Sequence, residues 1–167
     1  MAYDPKELER YRIGKNNVVK MILGIYGHSD SGKTSLIERL ITELTWRGYT
    51  ISTIKHTRGE FSVDSPGKDT DRHRKAGAKI SCLISTSETG LISSTPLSLK
   101  KTIQLIETVG GTDVILVEGG KTEKIPKIAV GEIEAQEGTI FRYKKNLNEI
   151  IAFIEESIKT EKAIQQD

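Results

Sequence analysis

A short segment near the start of the chain has the residue types and the spacing of a loop that binds nucleotide phosphates. The segment Gly27–Thr34 reads Gly-His-Ser-Asp-Ser-Gly-Lys-Thr and matches the pattern G-x-x-x-x-G-K-[ST]. Glycines allow a tight loop whose backbone N–H groups converge on an anion, and a helix that begins there adds the positive end of its dipole. Lys33 is expected to reach the β- and γ-phosphates, and the Thr34 hydroxyl is expected to coordinate Mg²⁺. The predicted nucleotide-binding residues are Gly27, His28, Ser29, Asp30, Ser31, Gly32, Lys33 and Thr34.

A second candidate for phosphate chemistry is the acid that follows the apolar run 114–117. Glu118 stands at the carboxyl end of this predicted strand and is followed by two glycines. In proteins with such a phosphate loop, a carboxylate at that position lies beside Mg²⁺, directly or through water. We therefore predict that Glu118 serves the metal; the alternative is an acid in a solvated loop. Asp113 enters the same strand from its other end and is predicted to be a turn or cap residue.

The segment between the second and third predicted strands is dense in groups that bind anions and metals. Lys55 and His56 end the second strand on the side of the sheet where the phosphate loop is expected. Asp69 and Asp71 begin a short predicted helix, where the helix dipole favours acids. These two acids could therefore serve either the helix itself or a ligand.

Basic residues of the same segment are the candidates for contacts with a substrate or a partner. Arg72 and Arg74 are two residues apart and face different sides of a helix, so at most one of them can aim at a given phosphate. The histidines of the chain do not have the spacing of a zinc site. The predicted substrate or partner contacts are Lys55, His56, Lys68, Arg72 and His73.

The elements that must position these residues follow from the pattern of apolar side chains. Short apolar runs predict strands, and apolar residues at helical spacing predict helices. Strands are predicted at 18–26, 50–55, 79–85 and 113–117, with weaker candidates at 91–92, 125–130 and 139–142. Helices are predicted at 33–47, 69–76, 97–109 and 147–158. Alternating strands and helices indicate an α/β fold of the P-loop NTPase type, a mostly parallel sheet flanked by helices on both faces, which binds ligands at the carboxyl ends of its strands.

Length and composition restrict the class of protein. The 167 residues suit one nucleotide-binding domain over 20–167, preceded by an N-terminal extension over 1–19 that could form a short helix or a frayed tail. A formal charge of +2 is too small to indicate nucleic-acid binding. A single cysteine, Cys82, excludes an internal disulfide and fits a cytoplasmic protein. No apolar run is long enough for a membrane span, and residues 1–20 do not resemble a secretory signal.

Four segments together resemble the MobB family, the GTP-binding proteins of molybdopterin-guanine dinucleotide biosynthesis. The segments are Tyr-Gly-His-Ser-Asp-Ser-Gly-Lys-Thr at 26–34, Ile-Lys-His-Thr at 54–57, the charged stretch at 61–78 and Leu-Val-Glu-Gly at 116–119. The resemblance covers roughly residues 20–130. The Lys-His-Thr segment and the charged stretch are more specific than the phosphate loop, which many families share.

The resemblance implies a function and a set of roles. The family binds GTP with Mg²⁺, hydrolyses it slowly to GDP and phosphate, forms homodimers and assists a MobA-like nucleotidyltransferase that joins GMP to molybdopterin. By position, Ser35 joins the phosphate-binding residues, Thr34 and Glu118 hold the metal with Asp69, and Lys33 and Glu118 are the catalytic residues. A molybdopterin-type ligand is implied as well.

Some positions depart from the family pattern and leave alternatives open. Arg58 and Gly59 stand where family members often have two histidines, and Asp30 adds a negative charge to the phosphate loop. The chain has no Asn-Lys-x-Asp motif, so guanine preference rests on the resemblance alone. The family's dimer-forming strands are expected within 119–145. The alternatives are a P-loop kinase of a small molecule and a nucleotide-switched adapter or metallochaperone.

Overall fold

The computed structural model of the protein describes residues 19–57 and 59–164, with side chains up to residue 160. The predicted N-terminal extension lies outside the described residues except for Val19. This valine is only 4% exposed and packs in an apolar cluster with Ile22 and Leu99. Val19 therefore belongs to the apolar core.

The described residues form two compact units. One contains residues 19–57 and 99–164, and the other contains residues 59–98. The predicted single domain over residues 20–167 stays a prediction. No helix of the described part has both the length and the apolar character that a membrane crossing requires.

The order of elements follows the pattern predicted from the sequence. Along the chain the structure has β1 (Met21–Gly27), α1 (Lys33–Trp46), β2 (Ile51–His56), α2 (Asp69–Lys75), β3 (Ile80–Ile84), β4 (Thr89–Ser93), α3 (Leu99–Val109), β5 (Val114–Gly119), β6 (Lys127–Val130), β7 (Thr139–Tyr143) and α4 (Leu147–Ile164). Every predicted strand and helix over these residues is present. The largest boundary difference is at α4, which continues to Ile164.

The first unit is built on a five-stranded sheet in the order β2-β5-β1-β6-β7. All four neighbouring pairs are parallel. The predicted α/β fold with a mostly parallel sheet is therefore confirmed. β1 occupies the centre, and its apolar residues are buried because parallel strands are covered on both faces.

Helices cover the two faces of this sheet, as predicted. Leu40 of α1 and Ile154 of α4 belong to one apolar cluster, which also includes Leu23 of β1. Ile103 of α3 belongs to a second cluster, with Ile115 of β5. Truncating a fully buried leucine such as Leu40 to alanine should cost about 2–5 kcal/mol of stability.

The second unit contains a strand that does not join the parallel sheet. β3 was expected to continue the alternation of strands and helices, but it pairs antiparallel with β4 in a separate two-stranded ribbon. The physical reason is the short connection between them, closed by a hydrogen bond from Ser85 N to Glu88 O of 2.9 Å. A connection this short can join only antiparallel strands, since a parallel pair needs a long crossover.

Candidate functional site

The predicted site residues of the first unit meet at one edge of the parallel sheet. β1 ends at Gly27, β2 at His56 and β5 at Gly119, and parallel strands end at the same edge. The phosphate loop, Lys55, His56 and Glu118 therefore gather at the carboxyl ends of neighbouring strands. This edge is where sheets of this kind bind ligands.

The phosphate loop leaves the centre of the sheet and leads directly into a helix. Asp30 and Gly32 have left-handed backbone conformations, with φ of 57° and 91°. The first helical hydrogen bond of α1 runs from Leu36 N to Gly32 O at 3.0 Å. No side chain caps this helix and no acid lies in its first turn. Its first N–H groups and the positive end of its dipole are thus not neutralised from within the helix, as an anion site requires.

Close packing beneath the loop explains the first glycine of the motif. A Cβ atom on Gly27 would lie 2.5 Å from both the Ser31 hydroxyl and the Val130 carbonyl oxygen, so no larger residue fits there. The Ser31 hydroxyl is buried and has no hydrogen-bond partner among the residues that the structure describes. The loop is therefore folded tightly onto the ends of β1 and β6.

The polar side chains that begin α1 lie at the phosphate loop. The Lys33 ammonium group donates a hydrogen bond to the backbone carbonyl of His28, which holds this cation at the loop. The side chains of Thr34 and Ser35 are exposed at the start of the helix. Lys33 and the two hydroxyls can therefore meet a ligand seated on the loop.

Glu118 lies within β5 and not in a solvated loop. Its side chain is 18% exposed, and its Oε1 atom lies 3.7 Å from the ammonium nitrogen of Lys55. Lys55 is 73% exposed, so this ion pair contributes little to stability and leaves the carboxylate free to take another cation. In the sheet Glu118 is the neighbour of Ile25, two residues before the phosphate loop. The role of Glu118 at a metal stays a prediction.

The residues that follow Glu118 lie close to His56 at the end of β2. A Cβ on Gly119 would lie 2.2 Å from the backbone oxygen of His56, and its φ of 96° also favours glycine. His56 Nδ1 lies 3.9 Å from a carboxylate oxygen of Glu123. Sequence reasoning missed Glu123, because no motif marks an acid within a short loop.

The predicted residues of the second unit lie on α2 and the turn before it. Asp69 is exposed and lies 3.7 Å from the Arg72 guanidinium, which is also exposed. Lys68 and His73 are exposed as well. Their predicted roles toward a metal, a substrate or a partner stay predictions.

Asp71 serves the fold, which was one of its two predicted roles. Its carboxylate accepts hydrogen bonds from the Gly67 N–H at 2.7 Å and from the Lys75 ammonium at 2.8 Å. These two hydrogen bonds lower the pKa of Asp71 below its ordinary value, against the opposing effect of partial burial. Asp71 thus holds the turn before α2 onto the helix.

Arg74 also forms hydrogen bonds within the second unit, whereas Arg72 is exposed on α2. The Arg74 guanidinium donates to Asp64 at 2.9 Å, and Thr70 donates to the same carboxylate at 2.9 Å. Partial burial raises the pKa of Asp64, but these hydrogen bonds and the charge of Arg74 outweigh it and leave the pKa below its ordinary value. The expectation that at most one of the two arginines reaches a ligand is consistent with this arrangement.

Asp113 is a turn residue, as predicted. Its Oδ2 atom accepts hydrogen bonds of 2.8 Å from both the backbone N–H and the hydroxyl of Thr50, and its other oxygen pairs with Lys20. Burial pushes the pKa of Asp113 upward, but the hydrogen bonds from Lys20 and Thr50 outweigh it and leave the pKa below its ordinary value. Asp113 therefore fastens the starts of β1, β2 and β5 together at the edge opposite the phosphate loop.

A cleft that the sequence did not predict opens at the ends of β6 and β7. Its volume is about 560 Å³, and it is lined by Gly131, Glu132, Ile133, Glu134, Arg142, Tyr143 and Lys144. A Cβ on Gly131 would lie 3.3 Å from the Ser31 Cβ, so the cleft begins beside the phosphate loop. No motif connects these residues in the sequence, since they come from two separate strand ends.

Two oxygen donors at the candidate site, Thr34 and Glu118, are of the kind that could serve Mg²⁺. Within residues 19–57 and 59–164, no three or more His, Cys, Asp or Glu side chains form a group that could hold a metal ion. Mg²⁺ does not need such a group, because it takes one or two protein ligands and completes its shell with phosphate oxygens and water. The Thr34 hydroxyl and the Glu118 carboxylate are oxygen donors of the type that Mg²⁺ prefers.

The sequence of this chain is similar to those of known proteins. A family model described as molybdopterin guanine dinucleotide synthesis protein B matches residues 22–156. The molybdopterin-guanine dinucleotide biosynthesis adapter protein of Haemophilus influenzae is 42% identical over 115 residues, which are 68% of this chain and 64% of the relative. The protein of the same name from Escherichia coli is 38% identical over 112 residues, 65% of this chain and 64% of that protein. The matched region thus spans somewhat less than two thirds of these curated relatives.

Comparison by structure leads to the same group of proteins. The crystal structure of Bacillus subtilis MobB has a TM-score of 0.62 and 27% sequence identity to this chain. The alignment covers 75% of this chain and 82% of that structure.

Proposed function

This chain belongs to the molybdopterin guanine dinucleotide synthesis protein B family, and we propose that it is a GTP-binding adapter in the biosynthesis of molybdopterin-guanine dinucleotide. The relatives from Haemophilus influenzae and Escherichia coli are named as adapter proteins of this biosynthesis. The partner that such an adapter serves is a MobA-like nucleotidyltransferase, which joins GMP to molybdopterin.

One observation carries the proposal that the chain binds a nucleotide. The segment Gly27–Thr34 leaves the central strand of a parallel sheet and opens α1, which has neither a side-chain cap nor an acid in its first turn. Lys33 is held at the loop by the His28 carbonyl. Backbone N–H groups, a helix dipole and a lysine thus converge where the polyphosphate of GTP would bind.

The same residues account for slow hydrolysis of GTP to GDP and phosphate. Lys33 and the loop N–H groups stabilise negative charge on the transferring phosphoryl group. Thr34 and Glu118 would hold Mg²⁺, which would neutralise charge on the phosphate oxygens. The sequence has no clear glutamine to position water, so we expect slow turnover until a partner protein supplies what is missing.

Exposed cations supply the contacts that an anionic, molybdopterin-type ligand or a partner would need. Lys55 in the first unit and Arg72 in the second unit are each 73% exposed. Among the described residues, Lys55 forms an ion pair with Glu118 and Arg72 forms one with Asp69, at 3.7 Å in both cases. Both cations can therefore exchange these weak pairs for a phosphate or a carboxylate.

The ribbon of β3 and β4 offers a surface for the proposed homodimer. Ile80, Cys82 and Ile84 alternate along β3, and Cys82 is paired with Leu91 of β4. Ile80, Ile84 and Leu91 are 53%, 79% and 44% exposed. An apolar ribbon face of this kind is a usual site of association between protein chains. β6 and β7, within the region where dimer-forming strands were expected, belong to the parallel sheet, and a dimer contact there stays a prediction.

The adapter proposal is tested by reconstituting the synthesis of molybdopterin-guanine dinucleotide. A MobA-like nucleotidyltransferase would be supplied with molybdopterin, limiting GTP and Mg²⁺, with and without this chain. We expect the wild-type chain to raise the yield severalfold and the Lys33→Ala variant to have no effect. A Lys79→Ala variant, changed at an exposed lysine of the second unit, is the control and should act as wild type. Equal yields with and without the wild-type chain would contradict the proposal.

A further inference from the structure

We propose that the cleft at the ends of β6 and β7 binds the guanine base, and that Glu132 and Glu134 read its donor edge. This inference rests on the proposed binding of GTP at the phosphate loop. The chain lacks the Asn-Lys-x-Asp motif, so other residues must recognise the base.

The order of strands determines the direction in which a bound nucleotide extends. β1 carries the phosphate loop and lies between β5 and β6. The β5 side presents Glu118 with Lys55, which are charged groups suited to a metal and the terminal phosphate. A nucleotide with its terminal phosphate on the β5 side must extend its sugar and base across the end of β6.

The cleft begins beside the phosphate loop, on the β6 side toward which the sugar and base would extend. Gly131 directly follows β6, and a Cβ at this position would meet the Ser31 Cβ at 3.3 Å. Its φ of 77° is a backbone conformation that side chains disfavour. Glycine at this position therefore lets the end of β6 pack closely against the phosphate loop, with no side chain of its own between the loop and the cleft.

The cleft has the volume of a small-molecule site, and hydrogen bonds hold its two lining segments together. About 560 Å³ lies within the range of typical ligand pockets, which is roughly 300–1,000 Å³. Arg142 donates hydrogen bonds to the carbonyls of Gly131 and Ile133 at 2.8 and 2.7 Å, which ties the loop after β6 to β7. Arg39 of α1 donates to the Tyr143 hydroxyl at 2.8 Å. The half-buried side chains of Ile133 and Tyr143 supply apolar surface for a flat base.

The acids of the cleft favour guanine over adenine on hydrogen-bonding grounds. Guanine presents N–H donors at N1 and at its 2-amino group, and an ionised carboxylate is an acceptor only. Adenine presents an acceptor at N1, which a carboxylate repels. Glu132 and Glu134 are exposed and line the cleft, while the Arg142 guanidinium is engaged by two backbone carbonyls. The two glutamates are therefore available to accept hydrogen bonds from the guanine edge.

The test compares GTP with xanthosine triphosphate, which carries an oxygen in place of the 2-amino group. Binding is measured by calorimetry with Mg²⁺ for wild type and for the double variant E132Q/E134Q, whose amide groups can donate to that oxygen. We expect the double variant to lose at least tenfold in GTP affinity and to bind xanthosine triphosphate more tightly than wild type does. The two single variants then show which glutamate carries the effect. Glu137→Gln is the matched control, since Glu137 belongs to the same connection but does not line the cleft.

The outcomes separate this inference from the proposed function. An unchanged ratio of the two affinities in E132Q/E134Q, with GTP binding still abolished by Lys33→Ala, would overturn the base-reading role and leave the phosphate site standing. If wild type binds no GTP, the proposed function and this inference both fail. An equal change in the Glu137→Gln control would show a general electrostatic effect and would also overturn the specific role.

Discussion

At the scale of single residues, Asp30 places a carboxylate within the loop that is proposed to bind phosphates. Its carboxylate adds a negative charge beside the expected phosphates, and its backbone is left-handed with φ of 57°. We predict that Asp30→Gly and Asp30→Asn both bind GTP about 3–10-fold more tightly, because each removes the repulsion. Both variants accept this backbone conformation, so the protein should remain folded.

Calorimetry of the two variants distinguishes an effect of the Asp30 charge on GTP affinity from an effect of the backbone conformation. A gain shared by asparagine and glycine assigns the effect to the charge. A gain confined to glycine assigns it to the conformation of the loop. Unchanged or weaker binding in both variants would show that Asp30 does not face the phosphates.

Asp113 makes stability depend on pH. Its folded pKa lies below the ordinary value of 3.8 because Lys20 and Thr50 donate to its carboxylate and outweigh the effect of burial. A lowered folded pKa contributes stability that is complete above the unfolded pKa and is lost as the pH falls through the folded pKa. We therefore predict that Asp113→Asn costs about 1–2 kcal/mol at pH 7, since the hydrogen bonds weaken and the partly exposed Lys20 pair adds little.

Urea unfolding at pH 7 and below pH 3.8 checks this prediction. The difference between wild type and Asp113→Asn should shrink at the lower pH. Asp64 and Asp71 also have lowered pKa values, but they are present in both proteins and cancel in the comparison. A difference that does not change with pH would contradict the assigned role of the carboxylate.

At the scale of elements, apolar periodicity predicted the helices and strands but not their partners. The continuous run Val114–Val117 indicated a strand covered on both faces, and β5 is buried over these residues. The same kind of pattern over β3 indicated another strand of the parallel sheet. Pairing depends on the short connection to β4, which periodicity does not describe, so the pattern did not predict that β3 forms a separate ribbon.

The ribbon of β3 and β4 makes a prediction about association. We expect Ile84→Glu to dissociate the proposed homodimer, because Ile84 is 79% exposed on the apolar face and a carboxylate there could not be desolvated in a contact. Val109→Glu, at a residue that is 83% exposed on α3, is the control and should leave the dimer intact. Light scattering after size exclusion gives the mass of each variant. A dimer that persists in Ile84→Glu would place the contact elsewhere, for instance at the edge strand β7.

At the scale of the whole molecule, the phosphate side of the candidate site was predictable and the β6–β7 side was not. The loop residues and Glu118 each lie in a short continuous segment, so their spacing in the sequence reflects the local structure of the backbone. The cleft depends on contacts between separate segments, such as the hydrogen bond from Arg142 to Gly131, eleven residues earlier. Such contacts leave no local pattern, so Glu132, Glu134 and Arg142 were not identified from the sequence.

Several predicted site residues of the second unit are exposed, and their contacts do not assign them a role. Asp71 and Arg74 are engaged within the unit, but Asp69, Arg72 and His73 are exposed on α2. The resemblance to the family implies a role for Asp69 at the metal. In the structure, the Asp69 carboxylate lies 3.7 Å from the Arg72 guanidinium. The role of Asp69 therefore stays a prediction that metal titration of an Asp69→Asn variant can decide.

The central claim is that the loop Gly27–Thr34 binds GTP. The most direct measurement is titration calorimetry of GTP and ATP with Mg²⁺ against wild type and Lys33→Ala. The account predicts that wild type prefers GTP and that Lys33→Ala loses GTP binding by at least a hundredfold, since the variant lacks the cation held at the loop. Preference for ATP would favour a P-loop kinase instead, and equal GTP binding by wild type and Lys33→Ala would contradict the claim that this loop holds the phosphates.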